Sequence, residues 1–243
     1  MSALLEVAGL TKRFGGVTAV DGCSFSVPAG SVTALVGPNG SGKTTAFNLI
    51  TGYARADSGS VRFAGMPVRR PEPMRLARHG LTRTFQQARV FADLTLVENM
   101  VAGVQQPWWA ALRRAVRPHE RSRALELLEE FGLVRLAGER AGNLSYGQKK
   151  LLEFATVLMG EPRLVLLDEP TAGVNPVLVE QIEQRIRDLN ARGITFLVVE
   201  HNMNVVMRLC DPVVVLDHGT KLAEGPPDAV RSDPRVLDAY LGT

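Results

Sequence analysis

Long apolar runs are missing from this sequence. A helix that crosses a bilayer needs roughly 20 consecutive apolar residues. The most apolar stretches here, RLVLLDEP and ITFLVVEH, are strand-sized and run into titratable side chains. The opening MSALLEVAGLTKRF has no cationic segment followed by an apolar core, because Glu6 and Lys12 interrupt it, so no secretion signal is expected. Cysteine is nearly absent. Cys23 and Cys210 stand far apart with no metal-ligand spacing, which excludes a disulfide scaffold and a zinc ribbon and points to buried thiols in a reducing compartment. Internal repeats, heptads, low-complexity tracts and polybasic tails are also missing, which argues against solenoids, coiled coils and nucleic-acid-binding arms. The net charge of +3 favours no partner by itself. Over 243 residues, 45% are hydrophobic and 22% charged, the composition of one globular domain with a real core. The expected location is the cytosol, with any membrane met through a partner.

What is present is a rhythm of strand and helix. SVTALVGPNG predicts a buried strand over Val32–Val36 that breaks into a glycine-rich turn, and KTTAFNLITG a helix closed by Gly52. RLVLLDEP and ITFLVVEH predict two more buried strands, with the amphipathic helix VLVEQIEQRIRDLNARG between them. PVVVLDHGTKLAEG predicts a strand, a turn at DHG and another strand. Continuous apolar strands alternating with helices mean a parallel sheet covered on both faces. LLEVAGLTKRF and GCSFSVPAG alternate in polarity, as half-exposed antiparallel strands do. The middle of the chain carries little strand signal, and HERSRALELLEEFGL has the helical period. The expected class is therefore α/β, a parallel core with an N-terminal antiparallel β region and an inserted α-helical subdomain. The core takes residues 1–88 and 160–243 and the insert about 89–159.

Gly37–Thr44 matches the phosphate-binding pattern G-x-x-x-x-G-K-[ST], after a strand and before a helix. Glycines let backbone N–H groups turn inward around phosphates, and a helix N-terminus adds its dipole. Gly37, Pro38, Asn39, Gly40, Ser41, Gly42, Lys43, Thr44 and Thr45 are the candidate cradle. Lys43 is placed to bridge the β- and γ-phosphates and Thr44 to ligate Mg²⁺ through its hydroxyl. Asp168 and Glu169 end a buried strand, at the edge where ligands bind in open α/β sheets. Two acids allow two tasks: Asp168 to hold the water shell of Mg²⁺, Glu169 to polarise water attacking the γ-phosphate. His201 ends the next strand at the same edge and is a candidate γ-phosphate contact. LSYGQKK, about a hundred residues after the loop, offers a second helix N-terminus for an anion. By itself it reads rather as an ordinary surface helix capped by Ser145.

Taken in order, Phe14, GPNGSGKTT, TFQ, LSYGQ, LVLLDEP, AGVN and EH resemble the nucleotide-binding subunits of ATP-binding-cassette (ABC) transporters, over essentially the full chain. The resemblance implies a P-loop NTPase core of the RecA-like kind and an ATPase using ATP and Mg²⁺. It implies that Phe14 stacks on adenine, that Gln86 senses Mg²⁺ and the attacking water, and that Glu169 is the catalytic base. It also implies that Ser145, Gly147 and Gln148 hold the γ-phosphate of ATP bound to a second subunit. Two positions depart from the family pattern. Tyr146 stands where the first glycine of the LSGGQ signature is usual, leaving Gly147 for close backbone approach. Asn175 stands where the loop after the acids usually ends in aspartate.

TRTFQQARVFADLTLVENM, LSYGQKKLLEFA, DEPTAGVNP, VVEHNMNVVM and VLDAYLG are similar to the ATPases of branched-chain amino acid importers. That implies two membrane-spanning permease subunits, a second ATP-binding subunit, identical or homologous, and an external substrate-binding protein acting indirectly. The site is then the cytoplasmic face of the inner membrane, with the chain peripheral. Urea and short-amide importers and lipopolysaccharide-export ATPases share much of the pattern. A soluble ABC-type ATPase working on nucleic acid is disfavoured by the single cassette, and no nucleic acid is expected. A P-loop kinase would need neither LSYGQ nor the glutamate of DEP.

Val90, Phe91, Leu94 and Leu96 either line a groove for a permease helix or form the insert's own core. Arg69, Arg70, Arg75, Arg78, Arg83 and Arg89, against a lone Glu72, form a basic stretch expected to be a solvated face. WWAALRRAVR, with Trp108, Trp109, Arg113, Arg114 and Arg117, is expected to pack on the insert's own helices.

Overall fold

The computed structural model describes residues 2–68, 72–84, 89–103 and 116–241. The chain begins with a long hairpin, β1 (Ala3–Phe14) and β2 (Val17–Pro28), then β3 (Val32–Val36) and helix α1 (Lys43–Ile50). Strands β4 (Ser58–Phe63) and β5 (Met66–Pro67), helix α2 (Pro73–Arg78) and strand β6 (Leu81–Arg83) lead to α3 (Leu96–Ala102), α4 (Pro118–Glu130) and α5 (Tyr146–Leu158). Next come β7 (Leu164–Asp168), α6 (Pro176–Ala191), β8 (Thr195–Val199), α7 (Met203–Leu209), β9 (Val213–Asp217) and β10 (Thr220–Gly225). Helices α8 (Pro227–Arg231) and α9 (Pro234–Leu241) follow.

β3, β7 and β8 are buried along their whole length, so the sheet they form is covered on both faces. The sheet has six strands in the order β10-β9-β3-β8-β7-β6. Five of them are parallel, and β10 closes one edge by pairing antiparallel with β9. β6, at the other edge, has three residues and no apolar run, and so left no strand signal in the sequence. A second, antiparallel sheet has the order β2-β1-β4-β5.

Side chains of one strand point alternately to opposite faces, and this sorts the core into two clusters. Ala34, Val36, Val165, Leu167, Phe196 and Val198 face the helices α3 to α7. Leu35, Leu164, Leu166, Leu197 and Val199 face α1 and the antiparallel sheet. Leu96 and Met100 of α3, Leu127 of α4 and Leu152 of α5 belong to the first cluster, so the middle helices and the sheet share one continuous apolar interior. The four residues with two open readings divide: Leu96 is core, Val90 and Leu94 are half-buried, and Phe91 is 60% exposed.

The two cysteines fall on opposite sides of the sheet and are free thiols. Burial pushes the Cys23 thiol up to about 11 and the Cys210 thiol to about 12, which keeps both unreactive. Among the described residues no helix is long and apolar enough to cross a membrane.

Phe196 lies fully buried in β8, edge-on to Phe154 of α5 at 6.3 Å between ring centroids, and Phe154 meets Phe131 in the same way at 5.2 Å. This stack joins sheet to helices. Phe196→Ala is expected to destabilise the chain by about 3–5 kcal/mol, measured by urea unfolding.

Candidate active site

β3 ends at Val36 in a turn that only glycine can make. Gly37 has φ 149° and Gly42 φ 97°. A Cβ on Gly37 would lie 2.0 Å from the Leu216 carbonyl oxygen, and one on Gly42 2.3 Å from that of Ala19. The loop is thus wedged between the end of β9 and the second strand of the N-terminal hairpin. Lys43, 6% exposed, folds its ammonium across the turn, donating to the carbonyls of Gly37 and Pro38, both at 2.8 Å, and to Ser41 Oγ at 3.3 Å. Burial pulls its pKa down, while Glu169 and Asp168 pull it back up. No side chain caps α1, which leaves its first N–H groups directed at the loop. Thr44 is exposed and Thr45 half-buried in the first turn. Pro38, Asn39, Gly40 and Ser41 border an open cleft of about 630 Å³.

Parallel strands bring their carboxyl ends to one edge. The loop follows β3, Asp168–Glu169 follow β7, and His201 follows β8, so all three meet. Asp168 is 5% exposed and its Oδ2 lies 3.0 Å from Arg83 Nη2. Burial raises the Asp168 carboxyl, and Arg83 and the neighbouring Glu169 oppose each other in modulating it. Burial also lowers the Arg83 guanidinium. Both shifts reflect the cost of taking the two charges out of water, which the 3.0 Å ion pair opposes.

Arg83 corrects the sequence reading. It was expected on a solvated basic face, yet it is buried at the end of β6, donating also to Asn48 Oδ1 at 2.8 Å and lying 5.3 Å from the Tyr53 ring. Its strand pairs in parallel with β7, which carries it to the acidic edge. Arg75, Arg78 and Arg89 are exposed, as expected; Arg69 and Arg70 lie outside the described residues.

Glu169 has φ 48°, a left-handed conformation that disfavours side-chain-bearing residues by about 1 kcal/mol or more. It is held at both ends of its backbone. Its N–H donates to the Val199 carbonyl at 2.9 Å, and its carbonyl accepts from Lys150 Nζ at 2.7 Å. Its side chain turns to His201, with Oε1 2.8 Å from Nε2. The expected pair of acid and histidine is thus in direct contact.

Glu200, 3% exposed, was not singled out from the sequence. Its carboxylate accepts from Thr171 N at 3.0 Å, Thr171 Oγ1 at 2.5 Å, His201 N at 3.0 Å and Asn202 N at 3.3 Å. It ties the loop after β7 to the loop after β8. The only sequence signal was an acid at the end of an apolar strand.

The start of α5 is a reciprocal capping box. Ser145 Oγ accepts from Gln148 N at 3.3 Å, and Gln148 Oε1 accepts from Ser145 N at 2.9 Å. The N–H groups of Tyr146 and Gly147 keep no intrahelical acceptor. Gly147 packs against Leu178: a Cβ would fall 2.4 Å from Leu178 Cδ2, so a side chain there would need the leucine to shift. Asn175 caps α6, accepting from Leu178 N at 2.9 Å, so the departure from aspartate keeps a helix-capping acceptor. Phe14 is 54% exposed at the tip of β1, with the Lys12 ammonium 5.3 Å from its ring centroid. Gln86, Trp108 and Trp109 lie outside the described residues.

Replacing Glu200 by alanine would strand the buried N–H and hydroxyl of Thr171 and take the acceptor from the part-buried N–H groups of His201 and Asn202. Glu200→Ala is expected to lower stability by about 3 kcal/mol or more. Glu200→Gln, which keeps one carbonyl acceptor, is expected to lose less, both read by urea unfolding.

The family model described as "ABC transporter" matches residues 20–172, and that described as "Branched-chain amino acid ATP-binding cassette transporter" matches residues 220–243. A high-affinity branched-chain amino acid transport ATP-binding protein, BraF, of Pseudomonas aeruginosa is 40% identical over 98% of both chains. A probable branched-chain amino acid transport ATP-binding protein, LivG, of Methanocaldococcus jannaschii is 38% identical over 98% of this chain and 97% of its own. The solved ADP conformation of an ATP-binding cassette of an ABC transporter superposes with a TM-score of 0.90 at 36% identity, covering all of both chains. A glycine loop with its buried lysine, a paired acid and histidine at one sheet edge, and these matches over nearly the whole length agree: the chain belongs to the ABC transporter family, as one of its ATP-hydrolysing cassettes.

Proposed function

We propose that this chain binds Mg-ATP between its own P-loop and a second subunit's LSYGQ-type helix end, and that hydrolysis there drives import of branched-chain amino acids through two permease subunits. The observation that carries the chemical reading is the Glu169–His201 pair, 2.8 Å apart, at the sheet edge that also presents Lys43 and Asp168. Gly37 and Gly42 let the loop pack directly on the backbone of β9 and β2 in left-handed turns, which suits backbone N–H groups directed at phosphate oxygens. Lys43 has its ammonium at that turn and supplies the positive charge for the β- and γ-phosphates.

The donor set also suits Mg²⁺. Among the described residues no group of three His, Cys, Asp or Glu side chains surrounds one point. Mg²⁺ prefers one or two protein oxygens, several waters and substrate phosphates to a full protein cage. Thr44 and Asp168 would hold it, and Gln86 is proposed to join them. Asp168 lies buried beside a second carboxylate, Glu169, so a further cation there meets two acids against the one Arg83. The ion, when bound, neutralises charge on the transferring phosphoryl group.

Glu169 acts as general base on the attacking water. His201, hydrogen-bonded to it, orients the carboxylate and reaches the γ-phosphate. Phe14, exposed on the hairpin that packs Ala19 against Gly42, offers its ring to the adenine.

The dimer follows from where the second helix end points. The hydrogen bonds and ring contacts of residues 145–150 go to their own helix, to Gly142, to Glu169 and to Gly173, none to the P-loop, among the described residues. Ser145, Gly147 and Gln148 then serve a nucleotide held by another subunit. The substrate reading rests on the relatives' names and on the family match at residues 220–243. An external binding protein would deliver the amino acid to the permeases.

Glu169→Gln protein is expected to elute as a dimer in size-exclusion chromatography with Mg-ATP and as a monomer without it; a monomer at saturating Mg-ATP would sink the sandwich. Labelled leucine uptake in cells deleted for this chain and for other leucine carriers is expected to return with wild type and not with Lys43→Ala, with valine and isoleucine competing. Uptake restored by Lys43→Ala would overturn the energising role.

A further inference from the structure

The tyrosine at position 146 and the lysine at position 150 are left without a task by the proposed mechanism. They are one helical turn apart, so they share a face of α5. That face lies on the loop that follows β7. The Tyr146 ring lies against Gly173: a Cβ built on Gly173 would be 3.3 Å from Tyr146 Cε1, and Gly173 has φ 72°. The Lys150 ammonium lies 5.7 Å from the centroid of the Tyr146 ring and donates to the Glu169 carbonyl at 2.7 Å. Lys150 is 6% exposed, and Tyr146 is 47% exposed.

We propose that Tyr146 and Lys150 are positioning residues, which together clasp the 169–173 loop and fix the Glu169 peptide from the first turns of α5. The inference rests on the reading of Glu169 as general base. Glu169 occupies a left-handed conformation that a side-chain-bearing residue does not keep unaided. β8 pins its N–H side through Val199; on its carbonyl side Ala172 N–H closes the loop's own turn at 3.2 Å, and Lys150 is the tie to another element. With both ends of the residue fixed, its carboxylate is aimed at His201. Removing the lysine leaves the carbonyl only the Ala172 N–H of its own loop, at 3.2 Å, so the loop loses its tie to α5 and the carboxylate its fixed aim.

The clasp also gives the tyrosine a reason. The position that is usually glycine in the signature bears a ring here, and the ring finds its room over a glycine of the facing loop. The same turn of helix whose capping box begins at Ser145 thus holds the loop of the acid in its own chain. The helix end that serves one nucleotide and the carboxylate that serves another are mechanically joined.

The test uses the full-length chain with Mg-ATP. Lys150→Met keeps the buried stem and removes the donor. Turnover is expected to fall about 10–100-fold, the loss that follows from misplacing a reacting group by about 1 Å. Nucleotide affinity is expected within twofold of wild type, and the unfolding midpoint close to it. Amide exchange should quicken at residues 169–173 and not across the sheet. Tyr146→Gly should behave in the same direction, while Lys150→Arg and Tyr146→Phe should retain most turnover.

Wild-type turnover in Lys150→Met would overturn the clasp and leave the ATPase reading standing. Equal losses of affinity, turnover and unfolding midpoint would also overturn it, as a merely structural contact. A wild-type chain without ATPase activity, alone or assembled with its transporter, would instead sink the ATPase reading. If Lys150→Met does not fold, Tyr146→Gly at its exposed position decides alone: reduced turnover with intact affinity supports the clasp, and unchanged turnover overturns it.

Discussion

The parallel register of β3, β8 and β7 is the constraint on which the site depends. Leu35 stands opposite Val199, and Val199 opposite Asp168. Each strand therefore stops at the same level, and each releases a different chemical group there: a glycine turn, an acid pair, a histidine. A slip of one residue would turn every side chain to the other face of the sheet. It would misfit the side chains of both core clusters and withdraw Asp168 from Arg83. The two apolar clusters on the two faces hold the register and, through it, the chemistry.

Buried charge is the second theme. Lys43, Arg83, Lys150, Asp168 and Glu200 are all largely removed from water at one edge. Such groups persist in an interior only when hydrogen-bonded or paired. Here each partner belongs to another element: Lys43 to the turn before its own helix, Arg83 to Asp168, Lys150 to the Glu169 carbonyl, Glu200 to Thr171. The polar network is thus also the mechanical linkage among the loops. A movement of α5 reaches Glu169 through the Lys150 ammonium, and a movement of the loop after β7 reaches His201 through two carboxylates, those of Glu169 and Glu200.

The two departures in the signature and in the loop after the acids become intelligible as packing. Tyr146 fills the space above Gly173, and Asn175 caps α6 as an aspartate would, without its charge. Both keep the helix starts in place, so the departures change contacts at the loop while the turn geometry around them stays supplied.

Much of this was legible in the sequence because the signals are local. Continuous apolar runs gave the buried strands at Val32–Val36, Leu164–Asp168 and Thr195–Val199, and fixed spacings gave the glycine loop and the acids after it. The sequence also determined the mixed fold class and the order in which the chemical groups arrive. Strand β6 escaped, since three residues carry no period, and with it escaped the burial of Arg83. Glu200 and Lys150 escaped for a similar reason: a charged residue at a strand end or on a helix looks solvated until its partner is known. Those partners lie between 19 and 85 residues away along the chain. Local pattern fixes which residues form strands and helices. Only the packing of the sheet edge decides which charges are taken out of water, because that depends on neighbours that sequence separation hides.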